Sequence, residues 1–154
     1  MNALHPLQIA LQTAEFFGPS FAYNLDFIPD DKLTFKPSPT ANSALEVTQQ
    51  AAMHLLNMKA ALTGGSFGDV PVEVPESRVA AQELIKRAAS DYAAWMLTLD
   101  TSDFGESIEL QFGTLPRGQW VLTPVLDLVH HHGQIAYIQA ILGDDEVHSF
   151  SMTM

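Results

Sequence analysis

Leu7, Leu11, Ala14, Phe17, Phe21 and Leu25 recur at spacings of three and four residues, the repeat of a helix that buries one face. This pattern predicts a first helix over residues 7–27, with Pro6 suited to its first turn. Gly18-Pro19 falls inside that stretch and predicts a kink or a break. Residues 28–42 carry Pro29, Pro37 and Pro39 and read as a long connection. Ser43-Ala44-Leu45-Glu46 is a capping box, in which serine and glutamate satisfy orphan backbone N–H groups reciprocally. It opens a second helix through Val47, Ala51, His54, Leu55 and Met58, which stops before Gly64-Gly65. A loop over 66–74 leads to Pro75, which can open a third helix over about 76–99. Val79, Leu84, Ala88, Tyr92, Trp95 and Leu99 lie along or beside its apolar face.

After a polar turn at 100–105, Ser107 to Phe112 alternates polar and apolar residues, the period of a half-buried strand. Leu115-Pro116-Arg117-Gly118 can turn, and Gln119-Trp120-Val121-Leu122 could pair back as a hairpin. Thr123-Pro124 reads as an N-cap followed by proline at the first helical position. The fourth helix then runs to about Leu142 and ends at Gly143. The segment 144–154 could add a strand or a docked tail. Four helices and one short extended excursion between the third and fourth predict an all-α, antiparallel four-helix bundle. The whole chain, 1–154, is expected to be one domain.

The fourth helix holds the most unusual local chemistry, Asp127-Leu128-Val129-His130-His131-His132-Gly133-Gln134. Successive residues of an α-helix are about 100° apart, so three consecutive histidines cannot share a face. Asp127 and His131, four apart, do share one, and His130 and Gln134 form the neighbouring pair. Gly133 at mid-helix costs about 1 kcal/mol relative to alanine, which suggests close approach of another backbone or a ligand. On the second helix Glu46, Gln50, His54 and Asn57 form a polar stripe. Such a stripe either builds a site between facing helices or faces solvent. His54 reads as a core histidine with a hydrogen-bonded ring, His132 as a surface or interface residue, and His5 and His148 as exposed.

Composition narrows the classes of function. The chain has 154 residues, a net charge of −11 and only seven Lys plus Arg, and a phosphate backbone or an anionic membrane repels such a surface. Neither nucleic acid nor a membrane is an expected partner. The absence of cysteine removes disulfides, thiolate metal sites and a cysteine nucleophile. Any thiol chemistry would need a thiol carried by a co-substrate. No segment reaches the roughly 18 apolar residues of a membrane span, and residues 1–12 do not resemble a signal peptide. Cytoplasm is the expected compartment.

Two stretches carry a family resemblance. Ser43-Ala44-Leu45-Glu46-Val47 resembles the start of the second helix in DinB/YfiT-like proteins. His131-His132-Gly133-Gln134-Ile135, Tyr137-Ile138 and Leu142-Gly143-Asp144 resemble that family's fourth-helix signature. The resemblance covers nearly the whole chain. It implies a four-helix bundle with a long first connection and a divalent metal, nickel or zinc, held by three histidines. It also implies, for some relatives, reactions that use a low-molecular-weight thiol, and pairing through helices.

Carried onto this chain, the three ligand positions fall on Gln50, Asp127 and His131, so only one of them is histidine. An amide oxygen is a poor donor for zinc or nickel, whereas a carboxylate is a competent one. Three arrangements follow. The site binds a metal weakly, or a harder ion. It is metal-free, with Asp127 hydrogen-bonded to His131. Or His54 or His130 takes a ligand's place. The resemblance leaves two functions open: a hydrolase or thiol-dependent transferase, with Asp127 and His131 as catalytic residues, or a small-ligand-binding or stress-associated interaction protein without catalysis. A homodimer is expected, with Trp95, Trp120 and Phe112 as aromatic residues free to contribute to it.

Overall fold

The computed structural model describes residues 6–148. Four helices make up most of it: α1 (Pro6–Asn24), α2 (Ala44–Leu62), α3 (Arg78–Met96) and α4 (Arg117–Ile141). A hairpin of β1 (Ser107–Leu110) and β2 (Gly113–Pro116) lies between α3 and α4. Each helix packs on two others, in the cyclic order α1, α3, α2, α4. The pairs α1/α3 and α2/α4 are antiparallel. Gly18 meets Ala89 while Ala22 binds Gln82. His54 meets Asp127 while Val47 shares a cleft with Tyr137 and Ile138. Phe21, Leu25, Leu55, Met58, Ile85, Tyr92, Met96, Leu128 and Ile135 are fully buried between the four helices. No described helix is long and apolar enough to cross a membrane.

The helix starts follow local chemistry. Ser43 and Glu46 form the expected capping box, with Ser43 N donating to Glu46 Oε2 at 2.8 Å and Glu46 N to Ser43 Oγ at 3.3 Å. The third helix begins two residues later than its proline suggested, because Ser77 supplies the cap by accepting from Ala80 N. Val79 lies on its exposed side. The first helix runs through Gly18-Pro19 without a break and ends in a turn of 3-10 helix over Leu25–Phe27. The glycine is there for packing, since a Cβ on Gly18 would sit 2.5 Å from Ala89 Cβ. Arg78 closes this end of the molecule. It donates to the carbonyls of Leu25 and Ile28 and pairs with Asp30 at 2.9 Å.

The fourth helix departs most from the sequence reading. Ser107 pairs with Pro116 and Leu110 with Gly113, so the turn is at Gln111-Phe112, where Gly113 supplies a φ of 134°. Gln119 to Leu122 are helical, and Pro124 lies inside the helix rather than at its start. The helix starts early because its first turn is anchored elsewhere. Arg117 N and Gly118 N donate to Glu106 O and Phe104 O, and Gly118 packs directly on the Phe104 ring. Thr123 Oγ1 donates back to Gln119 O instead of capping. At the other end Gly143, with a φ of 97°, terminates the helix as expected. Residues 144–148 form no strand, but His148 is not exposed. It stacks on Phe27 and bonds Asp144 at 2.7 Å. His5 and the remainder of the tail lie outside the described residues.

Candidate functional site

A cavity of about 410 Å³ opens between α2, α4 and the hairpin. Gln50, Met53, His54 and Met58 line it from α2, and Trp120, Thr123, Asp127 and His131 from α4. Phe67 and Phe112 complete the wall. Helical spacing accounts for the polar part. Gln50 and His54 are one turn apart, as are Thr123, Asp127 and His131, and the two rows face each other across an antiparallel pair. The stripe on α2 therefore turns inward along much of its length. Asn57, at its end, is buried and fully bonded. It donates to Met53 O and Val70 O and accepts from Gly68 N and Val70 N. Those bonds fix the loop that delivers Phe67. The hairpin delivers Phe112, and Trp120 Nε1–H holds it by donating to Ile108 O at 3.0 Å.

Asp127 is the centre of the polar wall. Its Oδ2 accepts from His54 Nδ1 at 2.7 Å and from His131 Nε2 at 3.2 Å. His131 Nδ1 lies 2.8 Å from Gln134 Oε1, and the Gln134 amide nitrogen lies 3.1 Å from His130 Nε2. With the Gln134 NH2 turned to His130, its oxygen must accept, so His131 Nδ1 carries a proton. The Asp127 carboxylate, 3.2 Å from Nε2, favours a proton there as well and so favours the imidazolium form. Burial alone would lower its pKa, but the bonds from Asp127 and Gln134 and the Asp127 charge outweigh burial and raise it. Burial likewise pushes the Asp127 carboxyl up. The hydrogen bonds from His131 and His54, and their charge, hold it well below the usual carboxylate range.

The three positions singled out from the sequence, Gln50, Asp127 and His131, thus line one cavity, and His54 joins them through Asp127. Their donor atoms do not fit a nickel or zinc ion. Gln50 Oε1 already accepts from Asn42 Nδ2 at 3.0 Å. Both ring nitrogens of His131 are already engaged, by Asp127 and Gln134, and a metal needs a free lone pair. Among the described residues no group of three or more His, Asp or Glu side chains is arranged to hold a metal.

The other expectations on α4 are corrected by burial. His132 is half-buried rather than at the surface. It packs edge-on to Phe17, lies beside Phe21, and accepts from Asn24 Nδ2 at 3.2 Å. Gly133 has nothing within 4 Å of where a Cβ would be, so it permits no close approach within the chain. The His54 ring is hydrogen-bonded as expected, but the residue is half-buried rather than in the core. Its side chain is 20% exposed and borders the cavity, edge-on to Phe67. Phe67 carries no periodic signal, and the alternation that ends at Phe112 says nothing of a cavity. They reach the site from a loop and a turn, and only the tertiary structure brings them there.

No family model matches the sequence, and no curated protein is similar enough to count as a relative. Solved structures do match. A DinB-like protein from Bacillus subtilis superposes with a TM-score of 0.72 at 16% identity, covering 92% of this chain and 96% of that one. A DinB-like protein from Bacillus cereus gives 0.67 at 18% identity, covering 87% and 91%. A conserved protein from Enterococcus faecalis gives 0.67 at 16% identity, covering 90% and 98%. Identities this low speak for the backbone alone, but the coverage extends to nearly the full length on both sides. The four helices, their long first connection and the hairpin before the last helix are therefore the DinB-like fold.

Proposed function

We propose that the chain binds a small, largely apolar molecule between α2 and α4 and converts it there by acid–base chemistry. The observation that supports this reading is a carboxylate, Asp127, shared by two imidazoles on the wall of a cavity otherwise lined by methionine and aromatic rings. Few convergent polar groups in an apolar cleft are the usual make-up of a small-molecule site. The chain has no cysteine, and Thr123 is already bonded to the Gln119 carbonyl. The nucleophile is therefore brought in, as water in a hydrolase or as a co-substrate thiol in a transferase. The Asp127 carboxyl is held low and the His131 imidazole is raised, and together they set the charge that the reacting group meets. No step is assigned to a metal.

p-Nitrophenyl hexanoate, with and without added 2-mercaptoethanol, is the probe. Release of p-nitrophenolate should saturate with ester and should be lost in Thr123→Trp, which fills the cavity, with helicity unchanged. Acceleration by the thiol marks a transferase. Non-saturating release that Thr123→Trp leaves unchanged would sink the reading. The alternative, a ligand-holding protein without turnover, is favoured by the exchange of histidine for amide at Gln50, and it predicts saturable binding without product.

Two copies of the chain are inferred to pair along α4. Trp95 and Trp120 are buried in the monomer and contribute nothing to such a surface. Leu126, Tyr137 and Ile141 lie on the outer side of the helix, 68%, 68% and 41% exposed.

A further inference from the structure

We infer that the molecule taken up between α2 and α4 is an uncharged amide, whose carbonyl oxygen accepts from Gln50 Nε2 and whose N–H donates to Asp127 Oδ1. This inference rests on reading the cavity as a small-molecule site and names the class of compound that fits it. Its grounds are the polar atoms left uncommitted on the cavity wall. The Gln50 amide has an oxygen that accepts and an NH2 that donates. Its Oε1 is taken by Asn42 Nδ2 at 3.0 Å, so the atom it has left to offer is Nε2, which has no partner among the described residues. Asp127 has two oxygens, and both imidazoles are bonded to the same one, Oδ2. Those two bonds hold the carboxylate in place, and Oδ1 has no partner among the described residues. Neither atom is sealed off. Among the described residues the buried side-chain nitrogen and oxygen atoms left unbonded are Asp103 Oδ1 and Arg117 Nε, and both Gln50 and Asp127 line the cavity.

One donor and one acceptor, on facing helices, select among ligand classes. An ester or ketone offers Gln50 a carbonyl but leaves Asp127 Oδ1 stripped of water and unpaired. An amine offers Asp127 a proton but leaves Gln50 unpaired. A carboxylic acid is ionised at neutral pH and sets its own oxygens against Oδ1. An amide answers both groups, through a carbonyl and an N–H on adjacent atoms. A buried polar group left unpaired costs free energy that a bonded one does not, and a site built to bond a ligand's N–H rejects the analogue that lacks it. Met53, Met58, Phe67, Phe112 and Trp120 take up the apolar remainder of the ligand. Asn42 is a positioning residue. It is not part of the cavity wall, and its bond decides which end of the Gln50 amide is turned to the ligand.

N-methylhexanamide and ethyl pentyl ketone, which have the same shape and differ by N–H against CH2, are the probes, titrated into the full-length protein at neutral pH and followed by NMR. The amide should bind about tenfold tighter or more, the usual worth of a hydrogen bond to a charged group, although burial of apolar surface alone favours the ketone. The Gln50 side-chain NH2 resonances should move on binding. Gln50→Leu should weaken amide binding by about threefold or more, the worth of a neutral hydrogen bond, with helicity unchanged. Asn42→Asp should weaken it more than Asn42→Ala does. The introduced carboxylate only accepts, so it draws Gln50 Nε2 to itself and turns Oε1 against the ligand's carbonyl, whereas a merely structural role makes alanine at least as harmful. Equal affinity for amide and ketone, unchanged amide binding in Gln50→Leu, or Asn42→Ala as damaging as Asn42→Asp overturns the inference while the cavity stands. Binding of both probes that fails to saturate, or that Thr123→Trp leaves unchanged, overturns the reading of the cavity and this inference with it.

Discussion

Asn24 Nδ2 carries two protons, and both are committed, to Ser20 O at 3.0 Å and to His132 Nε2 at 3.2 Å. His132 Nε2 must therefore accept, and the ring is neutral. Protonation would set a donor against a donor beside two phenylalanines. Burial lowers the His132 pKa below its ordinary 6.5. The unfolded chain then takes up the proton first as pH falls through that value, and stability is lost in acid. His131 has the opposite sign. Its folded pKa is raised, so its contribution is full below the unfolded value and is lost as pH rises through the folded one. Asp127, depressed in the folded state, contributes above its unfolded 3.8 and loses that contribution only as pH falls through its folded value. Adjacent histidines thus oppose each other between the two folded values. Urea midpoints measured from about pH 7.5 to about pH 5 should fall less in His132→Gln than in the wild type, and more in His131→Gln. Superimposable profiles for the three proteins would contradict this assignment.

At the scale of the element, α1 is the informative case. Gly18-Pro19 is punctuation in the sequence and contact in the structure. Alanine at position 18 would gain about 1 kcal/mol of helix propensity, but its Cβ would stand 2.5 Å from Ala89 Cβ. Forcing a methyl into a packed interface costs about 1–3 kcal/mol, so the clash wins. Gly18→Ala should lower Tm by a few degrees, at about 2–4 °C per kcal/mol for a chain of this size. Gly18→Ala with Ala89→Gly, which moves the methyl to the other helix, should recover part of the loss. Calorimetry on the two variants checks it, and a single variant as stable as the wild type would mean that α1 and α3 separate freely. The start of α4 makes a related point. Thr123-Pro124 has the form of an N-terminus, yet Glu106 O and Phe104 O secure two N–H groups a turn and a half earlier, and local preference yields to that anchor.

The whole molecule carries a net charge of −11, which opposes association except through uncharged patches. The outer side of α4 is such a patch. Leu126, His130, Gly133, Tyr137 and Ile141 follow one another at helical spacing, and Gly133 leaves a flat middle. If copies pair there, sedimentation should show a dimer at micromolar concentration, and Leu126→Glu with Tyr137→Glu should convert it to a monomer without loss of helicity. A monomeric wild type would refute the pairing. This is also the level at which the site is assembled. Two helices supply its polar wall, a loop pinned by Asn57 supplies Phe67, and the hairpin supplies Phe112.

Local patterns in the sequence were enough for the number and order of helices, the capping box at Ser43, the end of α4 at Gly143, and the shared face of Asp127 and His131. Each depends on residues within a turn or two of one another, where spacing alone decides geometry. The hairpin register and the early start of α4 depend on pairings outside any helix, and the packing of His132 and the place of His54 beside Asp127 on groups 108 and 73 residues apart; no helical repeat encodes such pairings. The sequence put a carboxylate and an imidazole on one turn of α4. Only the packing of α2 against α4 added a second imidazole to that carboxylate.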